Sequence, residues 1–333
     1  MEEKKKICIV FTHHKLGDLI WQIPYIKAIS ENYNQKIYLI VRKKTQAKDI
    51  FKDCDFIEKI EYNDFRKNIF YFIEIYKLWK YFKKQNFSHI FFLDKVNRGA
   101  IAAKLANIKI RIGLGFNNQK KWITSEPLND SAIKLNQSEQ SLELLKKNNI
   151  PIKNLVPKIN IDGKRLLDIE PNLSIYEGRK ISLGIDSFEK YKMWYEEDFI
   201  ELAEKLYKKG ICQHFYLICS PQNHEISKKI INLSKREYFI DCAKLNLIGI
   251  TKVIRDSHLF IGNNSGPLNL ASALGVKTYG LIANAPVSEL KNSEIIPILP
   301  DEYKDNVFNK NREEMKKLSP DKVFNYILKS EAI

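Results

Sequence analysis

Leu259-Phe-Ile-Gly-Asn-Asn-Ser-Gly-Pro-Leu-Asn-Leu-Ala-Ser-Ala-Leu-Gly-Val-Lys-Thr-Tyr-Gly-Leu-Ile-Ala283 reads as strand, polar turn, helix and strand in quick succession. The first strand is expected over Leu259 to Ile261, ending at Gly262. Pro267 falls in the first helical turn, where a missing N–H costs nothing. Gly275 closes the helix, and Val276 to Ile282 forms the next strand. Ala271, Ser272 and Ala273 are small enough to bring the helix close to a sheet. A helix that opens directly off a strand presents backbone N–H groups at its positive end, here at Asn264-Ser265-Gly266. That geometry binds phosphate or another anion. An ordinary strand-to-helix turn has the same sequence.

The same alternation runs through the rest of the chain. Lys6 to Thr12 is almost continuously apolar, as in a parallel strand buried on both faces. The loop His13-His14-Lys15-Leu16-Gly17-Asp18 follows, then a helix over Leu19 to Glu31, a strand over Lys36 to Arg42, a short helix over Ala47 to Lys52 and a strand over Phe56 to Glu61. Phe65 to Gln85 is amphipathic at helical spacing, with Phe65, Ile69, Phe72, Ile73, Tyr76, Trp79 and Phe82 interleaved with lysines. It reads either as a core-packing helix with lysines in water or as a helix that docks on an anionic membrane face. His89 to Leu93 (strand), Arg98 to Leu105 (helix), Ile108 to Gly113 (strand) and Gln137 to Asn148 (helix) complete the first half. Pro151 to Gly178 lacks a clear period, and the domain junction is placed there. The pattern then restarts: strand Lys180 to Ile185, helix Glu196 to Lys208, strand Gln213 to Cys219, helix His224 to Leu233 and helix Ile248 to Asp256. Ser319-Pro320-Asp321 opens a last helix, to about Ser330. This is an α/β chain of two Rossmann-like domains with parallel sheets, expected to face each other across a cleft. Their expected limits are 1–165 and 175–315, with a terminal helix at 318–333 packing back on the first domain.

A chain of 333 residues, 44% apolar, has material for two cores. Its net charge of +15 favours an anionic partner, or reflects only a composition rich in Lys, Asn and Ile. The five cysteines are scattered with no C-x-x-C, which points to a reducing compartment rather than a disulfide framework or zinc site. The apolar run after Met-Glu-Glu-Lys-Lys-Lys is too short for a signal peptide. The longest charge-free stretch holds Gly262, Gly266 and Pro267, which argues against a membrane span. A cytoplasmic protein is expected, one that can touch the inner membrane peripherally. No metal site and no nucleic-acid motif is expected; His13 and His14 are adjacent and lack chelate spacing.

Three short segments lie where strands hand over to helices. Asp18 reads as a helix N-cap or as a carboxylate that removes a proton from an attacking hydroxyl. Lys192, in Lys190-Tyr-Lys-Met-Trp194, reads as a solvated lysine or as a ligand for a diphosphate. The third is the turn at Asn264-Ser265-Gly266.

In order and separation, Leu16-Gly17-Asp18, Lys192-Met193-Trp194 and Gly262-Asn-Asn-Ser-Gly-Pro-Leu-Asn-Leu-Ala-Ser-Ala-Leu-Gly275 resemble the motifs of the heptosyltransferase family, glycosyltransferase family 9. A weaker fourth match runs from Ile90 to Asp94, through Arg98, to Arg111-Ile112-Gly113. The resemblance implies the GT-B fold and an inverting, metal-independent transfer of a heptose-like sugar. The donor would be a nucleotide-diphosphate sugar, ADP-sugar favoured, with no cofactor. The acceptor would be a lipopolysaccharide core or another anionic glycan or glycolipid. It implies Asp18 as general base, and Ser187, Lys192, Glu225, Asn264, Ser265, Gly266 and Asn269 on the donor side. Lys15, Gly17, Asp94 and Arg98 fall on the acceptor side. Two positions depart from the family pattern: Asn264 stands where Asp is usual, and Asn269 where His is usual. Those departures keep two alternatives open: a degenerate GT-B protein that binds a nucleotide sugar or glycan, and a sugar-nucleotide epimerase of the same fold.

Overall fold

The structure, a computed structural model, describes residues 5–65, 70–305 and 310–331. It divides into two compact units, Met1–Ile161 and Asp162–Ile333.

In the first unit the strands are β1 (Ile7–Val10), β2 (Ile37–Val41), β3 (Ile57–Tyr62), β4 (His89–Phe92) and β5 (Ile110–Gly113). They form a parallel sheet in the order β3-β2-β1-β4-β5. The helices are α1 (Leu16–Ile20), α2 (Ile23–Tyr33), α3 (Ala47–Phe51), α4 (Phe70–Gln85), α5 (Asn97–Leu105) and α6 (Gln137–Lys147). β1 and β4 are buried at every residue, as their unbroken apolar runs require. Cys8, Val10, Ile90 and Phe92 meet Leu78 and Phe82 of α4 and Ala100 and Ala103 of α5 in one core.

The single helix expected over Leu19 to Glu31 is two helices. Pro24 occupies the first turn of α2, because it has no N–H to continue a helix entering from Trp21 and Gln22. Asn136 and Glu139 form a reciprocal capping box that starts α6. In the long amphipathic segment Phe65 is left-handed (φ 48°) and stands outside the helix, and α4 is described from Phe70. The expected helical positions Lys67 and Ile69 lie outside the described residues.

The second unit opens with the short α7 (Gly163–Leu167) and builds β6 (Lys180–Gly184), α8 (Glu196–Lys208), β7 (His214–Ile218), α9 (His224–Ser234), β8 (Phe239–Asp241), α10 (Leu247–Asp256), β9 (Leu259–Asn263), α11 (Gly266–Ala273), β10 (Lys277–Leu281), β11 (Ile295–Ile298) and α12 (Pro320–Glu331). Its parallel sheet runs β11-β10-β9-β6-β7-β8. The two strands without a sequence signal, β8 and β11, are its edges. One has three residues and the other carries Pro297, which only an edge strand tolerates.

α12 packs against α8, and Val323 and Ile327 are fully buried in the second unit's own core beside Phe199, Leu202 and Leu206. Each such side chain contributes roughly 1.5–3 kcal/mol by leaving water. Within the second unit, the apolar stripe of this helix thus has a partner.

The five cysteines are buried thiols. Burial pushes Cys54, Cys212 and Cys219 up to about 12. Among the described residues no helix is long and apolar enough to cross a membrane.

β6 and β9 meet at a glycine pair, Gly184 opposite Gly262. A Cβ on Gly262 would lie 2.7 to 2.9 Å from the backbone of Gly184, which has no side chain to swing away. Gly262→Ala is therefore expected to destabilise the second unit by about 3 kcal/mol in denaturant unfolding. Gly163→Ala, whose Cβ would meet open space, should stay within about 0.5 kcal/mol of the wild type.

Candidate active site

In the first unit the loop after β1 is held from below by Asp94, just past β4. Its carboxylate accepts the backbone N–H and, at 2.6 Å, the hydroxyl of Thr12 through one oxygen. Asp94 is buried, and its other oxygen has no partner. Burial raises it above the usual carboxylate range, against the hydrogen bonds from Thr12. Gln119 locks the same corner, donating to the Asp94 carbonyl at 2.9 Å while accepting from Gly115 N–H at 2.8 Å. Arg42, at the end of β2, donates to the Thr12 carbonyl and to the Asp64 carbonyl. Asp94 thus shapes the loop through one of its two carboxylate oxygens. Gln119 and Arg42 carry no motif, and only the fold reveals them.

This scaffold presents Asp18 on the first turn of α1. The N-cap of α1 is Lys15, with extended backbone, so the capping reading of Asp18 is ruled out. Lys15 is half-buried and Gly17 buried. The Asp18 carboxylate lies 3.2 Å from His13 Nδ1, and both side chains are partly exposed. The His13 ring stacks on Phe11, with centroids 5.4 Å apart.

Arg98, at the start of α5, is committed elsewhere. Its guanidinium pairs with the buried Glu74 of α4 and lies over the ring of Tyr71. That pairing ties α4 to α5.

In the second unit the structure brings two motifs into direct contact. Asn263, at the end of β9, is fully buried, and its side-chain oxygen accepts the Trp194 backbone N–H at 2.9 Å. The Trp194 indole N–H donates to the Leu318 carbonyl at 2.8 Å. Arg312 donates to the Met193 and Trp194 carbonyls at 2.9 and 3.0 Å. Asn284 donates to the Tyr191 carbonyl. Four segments distant in sequence therefore clamp the turn that carries Lys192. The Lys192 side chain is mostly buried, and its ammonium lies 3.5 Å from the Glu189 carboxylate. Ser187, also buried, donates its hydroxyl to the Asn264 carbonyl at 3.0 Å.

At the mouth of α11, Ser265 is the N-cap residue, yet its hydroxyl makes no capping bond. Three buried polar atoms are left without partners: Asn263 Nδ2, Ser265 Oγ and Asn269 Oδ1. Buried polar atoms are nearly always satisfied, and these three around one helix N-terminus leave hydrogen-bonding capacity that a polar ligand can take up.

Glu225 does not join this group. Its carboxylate is exposed and bonds Lys228, one turn along its own helix, at 2.8 Å. The carboxylates organised at this end of the sheet are Asp186 and Asp241. Asp186 is buried and accepts from Ser220 N–H (2.8 Å) and the Asn223 amide (3.2 Å). Asp241 is bonded by His224, Ser227 and Ala243 N–H. Among the described residues no cluster of three or more His, Cys, Asp or Glu is arranged to hold a metal ion.

These two open parallel sheets define the GT-B class of glycosyltransferase folds. The chain is similar to E. coli ADP-heptose LPS heptosyltransferase II (TM-score 0.79, 15% identity, covering 98% of this chain and 100% of that one). It is also similar to the glycosyl transferase family 9 protein of Veillonella parvula (0.79, 15%, 98% and 97%). E. coli heptosyltransferase WaaC with ADP is a third such structure (0.75, 15%, 97% and 99%). No curated protein matches the sequence. The model of the family described as glycosyltransferase family 9 (heptosyltransferase) matches residues 75–326. The chain belongs to glycosyltransferase family 9.

Two outcomes test this geometry. Arg98→Met, which leaves Glu74 without its main counter-charge, should cost about 3 kcal/mol in denaturant unfolding. A loss well below about 1 kcal/mol would show that the pair adds little to the stability of the first unit. For His13, burial lowers the imidazole's pKa, but the Asp18 hydrogen bond and the charges of Asp94 and Asp18 outweigh it, so the net shift is upward. A raised histidine stabilises the fold below its unfolded value, about 6.5, and loses that contribution as pH rises through the folded value. His13→Gln should therefore lower Tm most at acid pH and converge with wild type under alkaline conditions. The effect stays below about 1 kcal/mol because the pair is half-exposed.

Proposed function

We propose that the protein is an inverting glycosyltransferase that moves a heptose-like sugar from an ADP-sugar to a lipopolysaccharide core or another anionic surface glycan, without a metal. The observation that carries this reading is the trio of unpartnered polar atoms around the N-terminus of α11. It sits beside the turn that Asn263 fixes through Trp194. Family membership supports the reaction class. The names of the similar structures, which include ADP and an ADP-fluoroheptose, support the nucleotide.

In this reading the first unit supplies the base. Asp18 takes the proton of the acceptor hydroxyl, and that oxygen bonds to the anomeric carbon as the bond to the diphosphate breaks. The second unit holds the leaving group. The first N–H groups of α11, with Ser265 and Gly266 at the turn, and the Lys192 ammonium face the negative charge that grows on the nucleoside diphosphate. Asn264 and Asn269 keep hydrogen-bonding capacity but carry no charge, so neither repels a diphosphate.

ADP should raise the Tm of the wild type, and Ser265→Ala and Lys192→Ala should each weaken that shift. Asp18→Asn should keep the ADP shift and lower kcat by about 10²–10⁴-fold with an ADP-sugar and lipopolysaccharide acceptor. Full activity in Asp18→Asn would remove the base from Asp18. No stabilisation by any nucleoside diphosphate would overturn the donor site. Stabilisation by ADP without transfer from any sugar would mark a nucleotide-sugar-binding protein, the reading favoured by asparagine at 264 and 269.

A further inference from the structure

α4 is two-sided in an unusual way. One side, Ile75, Leu78 and Phe82, is buried in the core of the first unit, together with Glu74 in its pair with Arg98. The opposite side keeps large apolar groups in water: Phe72 is 78% exposed, Tyr76 58% and Ile73 47%. Phe72, Tyr76, Trp79 and Lys83 follow one another at four-, three- and four-residue steps, a single stripe about 16 Å long. Along it the Tyr76 and Trp79 rings are 5.5 Å apart, and the Lys83 ammonium lies 5.4 Å from the Trp79 centroid. The stripe continues onto α5. The Trp79 indole N–H donates to the carbonyl of Leu105, itself 57% exposed, and the neighbouring Lys104 lies 5.1 Å from the Trp122 ring.

The charge on this face has one sign. Lys77, Lys80, Lys83 and Lys84 are all exposed, and the one acid of α4, Glu74, is buried. A monomer rarely leaves so contiguous an aromatic surface uncovered without a use for it. Its occupant must accept aromatic rings at shallow depth and offer negative charge beside them. The headgroup layer of an anionic bilayer does both: rings settle at the acyl boundary, and lysine stems reach back to phosphates. A second copy of the chain fits less well, because a two-fold contact would set this lysine face against itself.

We propose that the outward face of α4, extended by Lys104 and Leu105, docks the protein peripherally on an anionic lipid bilayer. The proposal stands independently of the sugar-transfer reading, since binding requires neither donor nor turnover.

The test is co-sedimentation of the full-length chain with phosphatidylcholine vesicles, with and without phosphatidylglycerol. The wild type should sediment with the anionic vesicles only, and added salt should release it. Phe72→Ser with Tyr76→Ser, and separately Lys80→Glu with Lys83→Glu, should each lower vesicle partitioning at least about tenfold. Both pairs are exposed, so the melting curve should not move. Failure of the wild type to bind anionic vesicles would overturn the proposal, as would wild-type binding by both double variants. A salt-resistant dimer that Phe72→Ser with Tyr76→Ser dissolves, with no vesicle binding, would overturn it in favour of an interface between copies. Failure to bind vesicles combined with capture by an acidic peptide would assign the face to a protein partner instead.

Discussion

The hydrogen bond from the Trp194 backbone to the side chain of Asn263 is the interaction on which the candidate donor side depends. It spans 69 residues of sequence and joins the end of β9 to the turn after β6. With one end of the Asn263 amide spent on Trp194, the other end remains buried and unpaired beside the mouth of α11. The arrangement is rigid because each participant has a second anchor. Trp194 is held through Leu318, the turn through Arg312 and Asn284, and Asn263 by its place in a fully buried strand. The cost of desolvating these polar groups is offset where they bond one another, and is left uncompensated at Asn263 Nδ2, Ser265 Oγ and Asn269 Oδ1.

The first unit reaches a comparable end by different means. A buried carboxylate, Asp94, grips Thr12 from below, and Arg42 grips it from the side. The loop that carries His13 and Asp18 is therefore defined before any substrate arrives. Such support fixes the geometry that the proposed role of Asp18 as base requires, since catalysis depends on geometry held before the transition state. Arg98 shows the opposite allocation. It lies close to the site in sequence, yet its charge is consumed by Glu74 in joining two helices.

α4 resolves the two readings that its periodicity allows. The core-packing reading holds for the side built from Ile75, Leu78 and Phe82. It does not account for Phe72, Tyr76 and Ile73, which face water. An amphipathic helix of a globular protein normally turns its apolar stripe inward and its charges outward. Here the outward face carries both.

Much of the architecture was legible in the residues themselves. Continuous apolar runs such as Ile7–Val10 and His89–Phe92 specify strands buried on both faces, and strands alternating with amphipathic helices specify parallel sheets. Leu16-Gly17-Asp18, Lys192-Met193-Trp194 and the segment from Gly262 to Gly275 were legible through their resemblance, in order and separation, to the motifs of the family. The edge strands β8 and β11 left no such signal, since a short edge needs neither length nor a two-sided apolar pattern. The exposure of Glu225, the capture of Arg98 by Glu74 and the clamps at Asn263, Asn284 and Arg312 were decided only by the tertiary structure. Local periodicity records which face of an element is buried. Which polar group meets which across tens of residues depends on how the elements are stacked, and no window of sequence contains that.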